Sequence, residues 1–319
     1  MEICMEIRVR RVLLTFLFTI ITATANSAFA QTPQYISGAQ SQALGRTVSS
    51  KLLNVLDASF NPASLSTFKS IASTISFAST ELGGQHLSFG IAIPTKQYGA
   101  FAFSYYAFRL DIIALGSDSQ LSTQSFNVNT AIISYGQYVL KNMAVGIGGK
   151  VVYSSFGDDN IKPKDVGLSA SIQYQLPFQE PILRDFHIGF LVNNLIQPHA
   201  TDLSRRRGLS REFRVLIEKS HQFGNSEINL INNIVRLDRR ELNELRVDQQ
   251  YYAYWGLQYS HRSLLFLRVG YLKNFAWGGG LKTNRFILDY AFGDYGGRFP
   301  QNFYFRHFIS LSFILKTNY

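Results

Sequence analysis

From Ser70 to the C-terminus, apolar and polar side chains alternate in segments of about ten to fifteen residues, separated by turn residues. Alternation with period two is the signature of a strand with one apolar face. Fourteen such segments are read. The first seven cover residues 70–79, 85–94, 97–110, 123–139, 142–156, 164–177 and 184–195. The second seven cover 210–220, 225–237, 249–260, 263–273, 275–282, 284–292 and 303–316. A tilted strand needs about 9–11 residues to cross a bilayer, and most of these segments reach that length. The last shows the two faces best. Phe303, Phe305, Ile309, Leu311, Phe313 and Leu315 share one parity with His307, while Tyr304, Arg306, Ser310, Ser312 and Lys316 take the other. Successive side chains on a strand point to opposite faces, so the first set is expected on the lipid side and the second toward a lumen.

The gaps between segments are sorted. Those after even-numbered segments are short, as at Thr95-Lys96 and Leu140-Lys141. Those after odd-numbered segments are mostly long: 111–122, 157–163, 196–209, 238–248 and 293–302. Bacterial transmembrane barrels have short periplasmic turns and longer extracellular loops. An even strand count with this sorting puts both ends of the barrel on the periplasmic side. Unpaired sheet edges are not tolerated in lipid, so the first and last strands are expected to pair. The predicted fold is all-β: a closed antiparallel transmembrane β-barrel of about 14 strands, preceded by a short N-terminal helical or hatch segment.

Composition agrees. The chain is 46% hydrophobic and 16% charged, with 26 Phe and 17 Tyr, against about 25% charged in soluble proteins. At the N-terminus, Arg8, Arg10 and Arg11 precede an apolar run from Val12 to Ile21, and Ser27-Ala28-Phe29-Ala30 offers a cleavage site. This pattern is a secretory signal peptide. The expected division is a signal over 1–30, a periplasmic or luminal hatch over 31–69 and the barrel over 70–319. The expected location is the outer membrane, among its lipids. The single cysteine, Cys4, lies in the signal. The net charge of +10 is spread along the chain, and nucleic acid is not expected as a partner.

No nucleophile, base and orienter are grouped as enzymatic acyl transfer requires. His86, His187, His199, His221, His261 and His307 are scattered, and neither a G-x-S-x-G elbow nor an H-E-x-x-H motif is present. Asp158-Asp159 falls short of a calcium ligand set. The expectation is a non-enzymatic protein with no cofactor and no metal.

Segment 43–66 departs from period two. Leu44, Val48, Leu52, Leu53, Val55 and Leu56 have irregular helical spacing before Asn61-Pro62. Pro fixes φ and removes a donor, and Asn turns the backbone locally. The turn belongs either to a hatch or to a plain lead into the first strand. Leu52, Leu56, Asp57, Phe60, Asn61 and Pro62 are the candidate hatch or luminal residues. Arg205, Arg206, Arg207, Arg239 and Arg240, in the gaps 196–209 and 238–248, are the candidate extracellular partner-binding residues, since guanidinium groups clamp carboxylates at two points.

Several stretches together resemble PorV/PorQ-type proteins of the FadL-like outer-membrane barrel superfamily. Ala43-Leu44-Gly45, then Asp57-Ala58-Ser59-Phe60-Asn61-Pro62-Ala63-Ser64-Leu65, is similar to that family's A-L-G … D-A-S … N-P-A-x-L signature. Gly149-Lys150-Val151-Val152-Tyr153-Ser154, Gly189 to Leu195, Leu267 to Tyr271 and Leu288 to Phe292 resemble its later strands. The family's glycine-rich stretch after A-L-G is replaced here by Arg46-Thr47-Val48-Ser49. The resemblance implies fourteen strands with a luminal hatch, and a component of type IX protein secretion that binds secreted cargo or machinery proteins. The alternative it implies is a FadL-like transporter of hydrophobic small molecules, with such a ligand in the lumen.

Overall fold

The computed structural model describes residues 38–51, 54–80, 84–95, 99–115, 121–156, 162–178, 180, 184–196, 211–240, 247–272, 274–293 and 305–315. The expected signal peptide and Arg205, Arg206 and Arg207 lie outside the described residues. The strands are β1 (Ile71–Thr80), β2 (Gln85–Thr95), β3 (Gly99–Leu115), β4 (Leu121–Leu140), β5 (Met143–Phe156), β6 (Lys162–Gln175) and β7 (Phe186–Asn193). They continue as β8 (Arg211–Phe223), β9 (Ser226–Arg240), β10 (Val247–His261), β11 (Leu265–Leu272), β12 (Asn274–Lys282), β13 (Phe286–Gly293) and β14 (Phe305–Leu315). Each pairs antiparallel with its neighbours, and β1 closes on β14, with Ile71 opposite Leu315. The expected fourteen-stranded closed barrel is therefore what forms. Both ends of the barrel domain lie at one rim, called here the terminal rim.

The two faces divide as the alternation predicts. Phe77, Phe89, Phe103, Ile133, Ile147, Phe190, Trp277 and Phe313 point outward and are exposed, Ile133 by 64%. Such residues recur around the circumference. A soluble monomer tolerates an apolar patch on the order of a few hundred Å², whereas a surface facing hydrocarbon requires this band. Ser76, Ser88, Ser104, Ser134, Ser171, Ser310 and Ser312 are buried on the inside. In β14, Ile309 and Phe313 face out while Ser310 and Ser312 face in.

The gaps differ from expectation in a consistent way. β3 and β4 continue to Leu115 and from Leu121, and β9 and β10 to Arg240 and from Val247. Stretches 111–115 and 238–240 are thus strand rather than loop. Above the apolar band the outward side chains turn polar. Arg109 pairs with Asp111 at 3.1 Å, Ser125 donates to Asp111 at 2.6 Å, and Arg236 pairs with Asp238 at 2.8 Å. The alternation disappears there while the backbone ladder continues. Arg239 and Arg240 accordingly stand on β9, opposite Asp248 and Val247 of β10, not in a loop. At the terminal rim, the connection between β6 and β7 is longer than its neighbours, and at the far rim β11 and β12 are separated by residue 273 alone.

Candidate functional site: a plug sewn into the lumen

The segment before β1 lies inside the barrel. It comprises helix α1 (Ala39–Ala43), a 3-10 turn over Val55–Ser59 and a second over Pro62–Thr67. Asn61 and Pro62 stand at the head of the second turn.

α1 ends in a sharp reversal. Gly45 and Arg46 have φ of 66° and 62°, and the Arg46 N–H returns to the Ser41 carbonyl at 2.7 Å. A left-handed residue at this point favours glycine. Added carbon on Gly45 would also collide with the backbone of Tyr271 on β11. The wall reciprocates with Gly256, Gly270 and Gly278, whose missing side chains leave room for Ala43, Leu44 and Gly45. Across the lumen, Gly136 and Gly146 leave room for Pro62 and Ala63. The A-L-G and N-P-A motifs are therefore places where plug backbone meets wall backbone.

Between these seats the plug is held by side chains of the wall. Small polar residues on the inner parity reach its backbone groups, which would otherwise be buried without partners. Ala39 N–H donates to Ser310 Oγ at 2.8 Å, and Ala63 N–H to Ser171 Oγ at 2.8 Å. Asn233 both accepts from Val48 N–H at 2.7 Å and donates to its carbonyl at 3.2 Å, as a strand neighbour would. Arg214 donates to the Arg46 carbonyl at 3.0 Å while paired with Glu212 at 2.9 Å. Glu218, fully buried, accepts from Ser50 N–H at 2.6 Å, Ser49 Oγ at 3.0 Å and Asn229 Nδ2 at 2.6 Å. Tyr106 donates to the Leu56 carbonyl at 2.7 Å.

The candidate hatch residues divide as follows. Leu56 is fully buried and packs with Tyr106 and Ile132. Phe60 packs against Leu44, Val48, Leu191, Leu216 and Ile231. Asn61 Nδ2 donates to the Ser49 carbonyl and to Gln173 Oε1, both at 3.1 Å. Pro62 opens the second 3-10 turn. Leu52 lies outside the described residues. Asp57 is buried, with Ser41 and Gly38 hydrogen-bonded to its carboxylate. Burial first, and then the negative charge of Asp289, pushes its pKa up to about 7. Asp289 pairs with Arg268 at 2.5 Å, both fully buried.

Sequence reasoning missed the wall residues. Arg214, Glu218, Asn233 and Gln173 meet partners more than a hundred residues away. One signal was present: Glu212, Arg214, Glu218 and Ser220 share a parity within β8. Charges on the inner parity of a spanning strand require partners in the lumen.

No family model matches the sequence, and no curated protein matches it. Solved structures do. A TodX deltaS2S3 mutant monoaromatic hydrocarbon channel superposes with a TM-score of 0.59 at 11% identity, over 87% of this chain and 98% of that one. The CymD monoaromatic hydrocarbon channel gives 0.57 at 12%, over 89% and 98%. A Pseudomonas aeruginosa FadL homologue gives 0.54 at 10%, over 90% and 99%. At these identities the likeness is one of fold. The chain is a plugged fourteen-stranded β-barrel. Its architecture is similar to that of these three structures.

Proposed function

We propose that the protein is a non-enzymatic outer-membrane channel for small hydrophobic molecules, gated by its N-terminal plug. The observation that carries this reading is the combination of an apolar outer band with a lumen filled by a hydrogen-bonded segment, in the fold of hydrocarbon channels. The inner wall beside the plug adds apolar contact surface: Phe108, Leu110 and Phe308 surround Ala39 and Ala43, and Val235, Leu237, Tyr252 and Tyr254 cluster on β9 and β10. A hydrophobic molecule would meet these residues on its way past the plug.

The secretion reading has less support. The A-L-G and N-P-A motifs that resemble PorV/PorQ-type proteins have a local explanation in plug seating, which any cargo would share. Arg239 and Arg240 stand on a strand and not in a loop.

The test is uptake of radiolabelled toluene, against arabinose as a polar control, by cells expressing the protein or an Ala39→Cys, Ser310→Cys variant. The Ala39 N–H already donates to the Ser310 hydroxyl, so the two residues are neighbours and oxidation ties the plug to the wall. Toluene uptake by the wild type, lost on oxidation and restored by reductant, supports the proposal. Equal uptake with the plug tied refutes it. Secreted proteins co-purifying in stoichiometric amount, without toluene uptake, would favour secretion.

A further inference from the structure

We infer that Asp57 is a proton-operated latch between the plug and the barrel wall, holding the plug seated in acid and loosening it as pH rises. The inference rests on the plug and not on what passes it, so it stands or falls separately from hydrocarbon transport.

The geometry sets one plug carboxylate against a wall whose charges are already matched. Arg268 on β11 binds Asp289 on β13 at 2.5 Å and donates to Gln258 at 2.7 Å. Asp57, on the first 3-10 turn, lies within electrostatic range of both. Ser41 and Gly38 hydrogen-bond to its carboxylate, yet Oδ1 has no hydrogen-bond partner among the described residues. Asp289 Oδ2 likewise has none. Of the strands packed against this turn, β2 brings His86 and β3 brings Tyr106, whose hydroxyl is committed to the Leu56 carbonyl and Ser59. The described inner residues of β1 and β4 are not titratable. A second carboxylate in this cluster has one cation to share with Asp289. Neutral, it fits; ionised, it is a buried charge facing another of the same sign.

The direction follows. The seated plug holds the Asp57 proton up to about pH 7, while a released, hydrated Asp57 holds it to the ordinary 3.8. Seating therefore takes up a proton between these values. Its stabilisation is complete below about pH 4 and is lost as pH rises through 7. Proton linkage over those two values weakens seating roughly a hundredfold between pH 5 and pH 8. A roughly hundredfold change is comparable to the loss of one or two of the hydrogen bonds that seat the plug.

The experiment is ion conductance of the full barrel in planar bilayers between pH 5 and pH 8. Wild-type conductance rises with pH. Asp57→Asn, close in shape to the neutral acid, stays near the acid level throughout. Ser41→Ala removes a hydrogen bond that favours the ionised carboxylate, and moves the rise to higher pH. A wild-type barrel whose conductance ignores pH overturns the inference, as does an Asp57→Asn barrel that keeps the full rise. Should Asp57→Asn fail to insert, Ser41→Ala decides: an unmoved midpoint refutes the latch.

Discussion

Replacing Glu218 with alanine tests whether the plug is held by the wall rather than merely surrounded by it. Glu218 lies on β8 and is fully buried. It gathers the Ser50 N–H, the Ser49 hydroxyl and the Asn229 amide at 2.6 to 3.0 Å. Removing the carboxylate leaves three donors without an acceptor. An orphaned buried donor costs about 1–3 kcal/mol, and the lower figure applies where water can enter once the plug moves, giving roughly 3 kcal/mol in all. That weakens plug seating by about 150-fold. The ladders of β8 with β7 and β9 are backbone bonds and remain. The barrel is therefore expected to insert normally and to conduct ions more often or at a higher level than the wild type in planar bilayers. A Glu218→Ala barrel as closed as the wild type would refute the reasoning, because it would mean that the hydrogen bonds to Glu218 contribute nothing to retaining the plug.

Gly146→Val should have a comparable effect from the other side of the lumen. Its side chain would occupy the space of Pro62 and Ala63, and ion conductance should rise while the barrel still resists unfolding in cold detergent gels. Phe313→Asp puts a carboxylate on the outward face of β14, which is 47% exposed at that residue. It should destabilise the inserted barrel by about 1–2 kcal/mol, read as a lower urea midpoint of unfolding in lipid vesicles, whereas an unchanged midpoint would place Phe313 away from lipid.

The barrel was legible because lipid on one side and a polar lumen on the other force strict alternation. The parity of Ile309 and Phe313 against Ser310 and Ser312 was readable for that reason. Strand ends were less so. Once β3, β4, β9 and β10 pass the apolar band, residues such as Asp111, Ser125, Arg236 and Asp238 are polar on the outward face, and a strand with two polar faces reads as a loop. The plug was half legible. Its motifs marked where it turns, but its short 3-10 turns have no sustained period. The residues that hold it answer to tertiary distance: Asn233 meets Val48 and Glu218 meets Ser50 across most of the chain, and no local pattern records such a match.

Ser310 takes part in two unions at once. Its hydroxyl accepts from Ala39 of the plug and donates to Ser76 of β1, so the same oxygen joins the first strand, the last strand and the segment between them and the axis. β1 and β14 are the pair farthest apart along the chain, and theirs is the last ladder that the order of synthesis makes available. The seam of the cylinder and the seat of its stopper therefore share one hydroxyl. Whatever loosens the join between first and last strands also loosens the hold on the segment beneath it.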